Sequence, residues 1–264
     1  MVATSQIQSP QLSVPVITWE KLPDDYILPN DPVDNIYQPF IAAGLRDGLG
    51  TVGLASPQSL MSTNYGICTT VNGKMVVKAP DWAYVPKITV PISEVDRSYT
   101  PHLQGDIPVI VMEFLSDTDG GEYSAKQVYP YGKWFFYEQI LCVPNYVIFD
   151  QDGGLLEFYR LKQGKYVLEQ PNPDGHHWVE EMGLFLGTWR GQRDELNGYW
   201  LRWWTQNGDL LLWGREQAEQ AQAQAEQAQA QAEQAQVQAA QERNRAERLA
   251  EYLRLQGIDP EAIA

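Results

Sequence analysis

The order of elements legible in this sequence predicts a β-sheet with helices packed on it, an α/β or α+β fold. Three observations carry that reading. Apolar residues at 36, 40, 41 and 45 recur at helical spacing, the chain after them runs in extended segments punctuated by turn dipeptides, and from Glu216 the composition turns abruptly to Ala, Gln and Glu.

Residues 1–16 are polar with Pro and Ser, which predicts a flexible arm, and "WEKLPDDYILPNDP" carries too much proline for a helix. "VDNIYQPFIAAGLRDGLG" predicts the first helix, with Asp34 as N-cap, Pro39 in the first turn and Gly50 as the stop. "YGICTTVNGKMVVKAPDWAYVP" reads as two strands joined at Asn72-Gly73, then a third extended piece from Pro80. "IPVIVMEFLS" (107–116) reads as a buried strand, "YPYGKWFFYEQIL" (129–141) as a helix, and "NYVIFD" (145–150) as another apolar strand. A hairpin turning at Gln163-Gly164 follows, and "YWLRWWTQNGDLLLW" predicts a further one around Asn207-Gly208. The five tryptophans between 189 and 213 suit either stacking on bases or cross-strand pairing that closes a small sheet.

Beyond Glu216, alanines at 218, 221, 225, 228, 232, 235 and 239 alternate steps of three and four, and the register continues to Ala246, Leu249 and Leu253. This predicts a helix of about forty residues with a coiled-coil seam. Residues 216–256 would join copies of the chain in a homo-oligomer, or form a lone solvated helix of high Ala propensity.

Composition narrows the classes. Nine Trp and fourteen Tyr within 264 residues supply a real core. No apolar run approaches a membrane span, and the first residues lack a secretory pattern, which predicts a cytoplasmic protein. Cys68 and Cys142 stand apart without a CxxC or Cys/His cluster, so both read as reduced, packed thiols. Up to residue 214 there are 14 Lys/Arg against 25 Asp/Glu, a net charge of −11. That excludes broad nonspecific nucleic-acid binding but leaves room for a nuclease whose positive charge is local.

The chemical signal is Glu113, a carboxylate inside six apolar residues. A buried charge is costly unless paired, protonated or metal-bound. Asp81, beside Pro80 at the start of the preceding strand, would meet it at one end of the sheet. Two such acids are relieved by a hard divalent cation, Mg²⁺ or Mn²⁺. Each residue has a bland alternative: Asp after Pro is common in turns, Glu113 could pair with a core cation, and Lys133 could be a snorkelling helix residue. His102, His176 and His177 have no ligand spacing, Ser116 reads as a strand-end cap, and Asp150 as a turn residue.

The segments "PDWAYVP", "VIVMEFLSD", "YPYGKWFFYEQILCVPNYVIFD" and "GYWLRWW" through "LLLWG" together resemble the PD-(D/E)XK nuclease superfamily. Within it they are similar to a restriction-endonuclease family abundant in cyanobacteria, formerly a domain of unknown function, whose members also carry Ala/Gln/Glu-rich tails. The resemblance covers residues 17–214, ahead of a coiled-coil helix at 215–264. It implies an α/β restriction-endonuclease-like mixed sheet with extra hairpins, and metal-dependent hydrolysis of DNA. It also implies metal ligation by Asp81, Glu113 and the carbonyl of Phe114, with catalytic help from Lys133 four residues before Tyr137. The chain departs from the pattern at Leu115, where the superfamily has its Lys. It departs again at Tyr129, where the family has an acid, and at Gln38, the nearest match to a polar ligand on the first helix. These departures leave a second expectation standing, a catalytically decayed nuclease fold acting as an interaction protein through its tail.

Overall fold

A computed structural model describes residues 16–21, 23, 36–115 and 121–257. The expected arm (1–16) lies outside these except for Val16, and so do most of "WEKLPDDYILPNDP", the Asp34 cap and Ser116. The chain falls into two compact units, residues 1–211 and 212–264.

The first unit is a mixed α/β assembly of three sheets. The largest holds six strands in the order β10-β9-β8-β7-β5-β2: Lys165–Leu168, Leu155–Lys162, Asn145–Asp150, Ile110–Phe114, Trp82–Val85 and Leu60–Ser62. Its two central strands, β7 and β8, run parallel, while every other neighbouring pair is antiparallel. All five residues of β7 are buried, as the continuous apolar run demands of a strand covered on both faces. A second sheet joins β1 (Ile17–Thr18), β3 (Gly66–Val71), β4 (Lys74–Lys78) and β6 (Ser98–Tyr99). Its β3–β4 hairpin turns at Asn72-Gly73, both with positive φ as the dipeptide requires.

Helix α1 (Tyr37–Thr51) starts with Ile36 at its cap, so the helix opens two residues beyond the expected Asp34. It packs on β13 through Trp203, whose Nε1 donates to the Leu45 carbonyl at 3.1 Å. Helix α2 is much shorter than the run 129–141 suggested. It covers only Lys133–Phe135, then opens into a π-turn over Phe136–Ile140. Pro130 cannot donate within a helix, and Gly132 is extended and caps α2.

The third sheet is β11 (His177–Val179), β12 (Leu184–Arg193) and β13 (Leu196–Trp204). Its long hairpin turns at Asp194 and Glu195, and the expected reversal at Asn207-Gly208 follows as a short turn closed by an isolated antiparallel Trp204–Leu210 bridge. The tryptophans pair across strands, Trp189 opposite Trp200 and Phe185 opposite Trp204, so they close the sheet. Of the two thiols, Cys68 is buried and Cys142 is exposed, which corrects the expectation of two packed cysteines. The second unit is α3 (Gly214–Leu255), 42 residues without a buried side chain. No helix among the described residues is long and apolar enough to cross a membrane.

Sheet three carries a pH-sensitive contact away from the carboxylates. His177 is buried with its ring stacked 5.1 Å over Phe158. Burial pushes the imidazole down to about 4, with Glu169 opposing and Arg160 and His176 adding. An unfolded imidazole titrates near 6.5, so the folded state binds fewer protons between about 6.5 and 4 and loses stability as pH falls through that window. Thermal melts from pH 7 to pH 4 should therefore fall more steeply for the wild type than for His177→Phe, which keeps the stacking and removes the titration.

Candidate functional site

The register of the central sheet builds the site. β5 and β7 pair with Trp82 opposite Met112, which sets Asp81, one residue before β5, opposite Glu113. Asp81 Oδ2 accepts the backbone N–H of Phe114 at 2.5 Å, fixing that carboxylate against the end of β7. Glu113 has no exposed surface. Its Oε2 lies 3.0 Å from Lys133 Nζ, and its Oε1 accepts the hydroxyl of the fully buried Tyr137 at 3.1 Å. Lys133 and Tyr137 stand one helical turn apart, so α2 and its π-turn aim both at one acid. The compensation for the buried acid is thus visible as an ammonium and a phenol.

The fold places two of the departures from the family pattern. Gln38, buried on α1, donates from Nε2 to the Phe114 carbonyl at 3.2 Å. Tyr129 is half exposed, with Lys74 Nζ 5.1 Å above its ring, and is not the acid of the site. Another acid stands near the lysine: Glu122, buried, whose Oε1 is 4.0 Å from Lys133 Nζ. Sequence reasoning missed it because a single-turn helix at Gly121–Tyr123 has no periodicity to read. The available signal was Gly132. A Cβ there would meet the Ser124 carbonyl at 1.9 Å, so only glycine lets the turn bearing Glu122 press against the start of α2. Leu115 turns to the apolar core instead.

Electrostatics separate this acid from a structural one. Burial pushes the Glu113 carboxyl up to about 8, Lys133 opposing and Asp81 adding. Burial would lower Lys133, but Glu113, Asp81 and Glu122 outweigh it and hold the ammonium above its ordinary range. Burial also raises Tyr137, with Glu113 adding. Glu138 is less deeply buried, and the N–H of Tyr166, Lys165 and Gln139 outweigh burial and hold its carboxyl below the usual range. Glu138 is served by donors near the surface; Glu113 is fully enclosed and its carboxyl is raised, as functional acids often are.

The remaining candidates fall as the sequence suggested. Asp150 Oδ1 takes the N–H groups of Asp152 and Gly153 in a turn, and His176 stacks on Trp204 at 3.8 Å.

The family model described as "Putative restriction endonuclease", Uma2, matches residues 57–192, just over half the chain, and spans Asp81, Glu113, Phe114 and Lys133. The chain belongs to the Uma2 family. Among solved structures it is similar to a "putative nuclease belonging to DUF820" from Anabaena variabilis ATCC 29413, with 14% identity, a TM-score of 0.35, and coverage of 57% of this chain and 76% of that one. No curated protein matches.

Membership of Uma2 supports a nuclease-like function, and nucleases of this type generally use divalent metals. Among the described residues no group of three or more His, Cys, Asp or Glu could hold a metal ion. The oxygen donors at hand are two carboxylates and the Phe114 carbonyl. That set fits a Mg²⁺-like ion, which keeps several of its own waters and needs few protein ligands. The register that sets Asp81 opposite Glu113 is the observation that favours such an ion there.

Lys133→Met would leave Glu113 with Tyr137 as its remaining neutral donor. A carboxyl already raised to about 8 is protonated well below that pH, so the loss is small in acid and grows as pH rises. Urea unfolding should show a deficit of about 3 kcal/mol at pH 9, clearly less at pH 6, and mostly recovered by adding Glu113→Gln. Equal deficits at the two pH values would contradict this electrostatic account.

Proposed function

We propose that this Uma2 chain is a Mg²⁺- or Mn²⁺-dependent endonuclease that hydrolyses DNA phosphodiesters at Asp81, Glu113 and Lys133. The observation that carries the reading is the 3.0 Å contact of Lys133 with a fully buried Glu113, opposite Asp81 on the paired strand. Asp81, Glu113 and the Phe114 carbonyl would hold the cation. A divalent ion bound there supplies polarisation of a phosphoryl oxygen and a lowered pKa for water. Lys133 orients the attacking water and stabilises negative charge building on the phosphoryl oxygens. Glu113 and Glu122 hold the ammonium in place, and Tyr137 fixes the carboxylate that faces it. With a net charge of −15 the chain should bind DNA weakly and in a salt-sensitive manner.

Calorimetric titration with Mn²⁺ should show a site in the wild type that Asp81→Ala abolishes and Lys133→Met retains. With Mn²⁺ present, Lys133→Met should cut single-stranded or plasmid DNA at least about a hundredfold more slowly than the wild type. A wild type that binds no Mn²⁺ and cuts nothing leaves the scaffold reading instead.

We further propose that residues 17–214 form the catalytic domain and that residues 216–256 join copies of the chain. The support is the three-four alanine spacing from 218 to 239, interrupted at Glu242 and resumed at Ala246, on a 42-residue helix without buried side chains. Solution mass measured by light scattering should be a multiple of the chain mass for the full protein and fall to a monomer after truncation at Gly214.

A further inference from the structure

The first unit holds a cavity of about 290 Å³ that the cleavage chemistry does not use. Its walls include Tyr37, Gln151, Asp152, Arg190, Asn197 and Tyr199. Two chain connections tie it to the site. Tyr37 directly precedes Gln38, which bonds the Phe114 carbonyl. Gln151 follows β8, whose Phe149 faces Phe114 in the parallel pair and accepts the N–H of Leu115 at 2.9 Å. The cavity therefore opens at the carboxyl ends of the two parallel strands, where ligands of open α/β sheets collect.

The wall is built to a purpose that packing alone does not explain. Gln151 is only 9% exposed, and its side-chain oxygen has no hydrogen-bond partner among the described residues. Buried amide oxygens are ordinarily satisfied, so an orphan lining a cavity marks a place for a donor from outside. The turn that presents it is closely fitted. Gly154 has φ +68°, and a Cβ there would fall 2.5 Å from the Tyr199 ring. Opposite, Tyr37 reaches the Asn197 carbonyl at 3.5 Å, and the exposed Arg190 guanidinium sits 5.5 Å over the Tyr199 ring.

We propose that this cavity binds one nucleotide of the DNA strand next to the cleaved bond, its base unstacked and carrying an exocyclic amino group. The inference rests on the nuclease reading for its substrate. The amino group would donate to the Gln151 oxygen, the Tyr37 phenol would flank the base, and Arg190 is the cation for the adjoining phosphate. Adenine suits best, because a glutamine amide matches its amino group and ring nitrogen together. Thymine has no amino group to offer.

The test is calorimetric titration of the full chain with dAMP, dTMP and a short single-stranded oligodeoxyadenylate, all in EDTA so that cleavage and metal binding play no part. dAMP should bind saturably and more tightly than dTMP, and the oligonucleotide at least as tightly as dAMP. Gln151→Leu should weaken dAMP about tenfold while its melting temperature stays level or rises, since the orphaned oxygen is gone. No saturable dAMP binding, or equal dAMP binding by the wild type and Gln151→Leu, would overturn the site. Binding of dAMP with none of the oligonucleotide would overturn its assignment to a DNA strand. Because the metal is absent, failure of the nuclease reading would appear separately, as intact nucleotide binding in a chain that cuts nothing.

Discussion

The structure depends on a carboxylate that water does not reach. Glu113 stands on a central strand of the six-stranded sheet, where burial raises its carboxyl and Lys133 and Tyr137 face it at hydrogen-bond distance. Much of the surrounding architecture meets that demand. The antiparallel register brings Asp81 alongside, the π-turn keeps Tyr137 one turn from Lys133, and Gly132 lets a neighbouring turn deliver Glu122 to the same ammonium. A π-turn at this point is consistent with the habit of such turns to occur where a helix serves a site rather than only a core.

The arrangement is costly in stability terms, and that is informative. Replacing a buried ion pair by apolar residues is often neutral or favourable, so a fold retains one chiefly when it does something with it. Glu138, nearer the surface, receives the donors that settle a carboxylate, whereas the fully buried Glu113 is left raised beside two further acids.

How much of this was legible in the sequence follows from the range of each interaction. Asn72-Gly73 and Gln163-Gly164 specify their turns through local backbone preference, and both hairpins form there. The apolar run around Glu113 fixes a buried strand because both faces must be covered. Local signals failed where tertiary contacts decided. The apolar pattern of 129–141 suggested one helix, but Pro130 and the close approach at Gly132 confine it to a short stretch. Asn207-Gly208 does turn the chain back, closed by the antiparallel Trp204–Leu210 bridge, but the longer β12–β13 hairpin, turning at Asp194 and Glu195, had no dipeptide signal to announce it. The resemblance supplied Asp81, Glu113 and Lys133 by spacing. It could not supply Glu122 or Gln151, which come to the sheet end through turns whose positions only the fold sets.

The central claim is that the acids at the end of β5 and β7 are arranged to receive a cation. It is tested most directly by anomalous diffraction from crystals grown with Mn²⁺. The account predicts a peak bounded by the carboxylates of Asp81 and Glu113 and the Phe114 carbonyl. Crystals at saturating Mn²⁺ that show no peak there, with the Glu113–Lys133 contact unchanged, would contradict it.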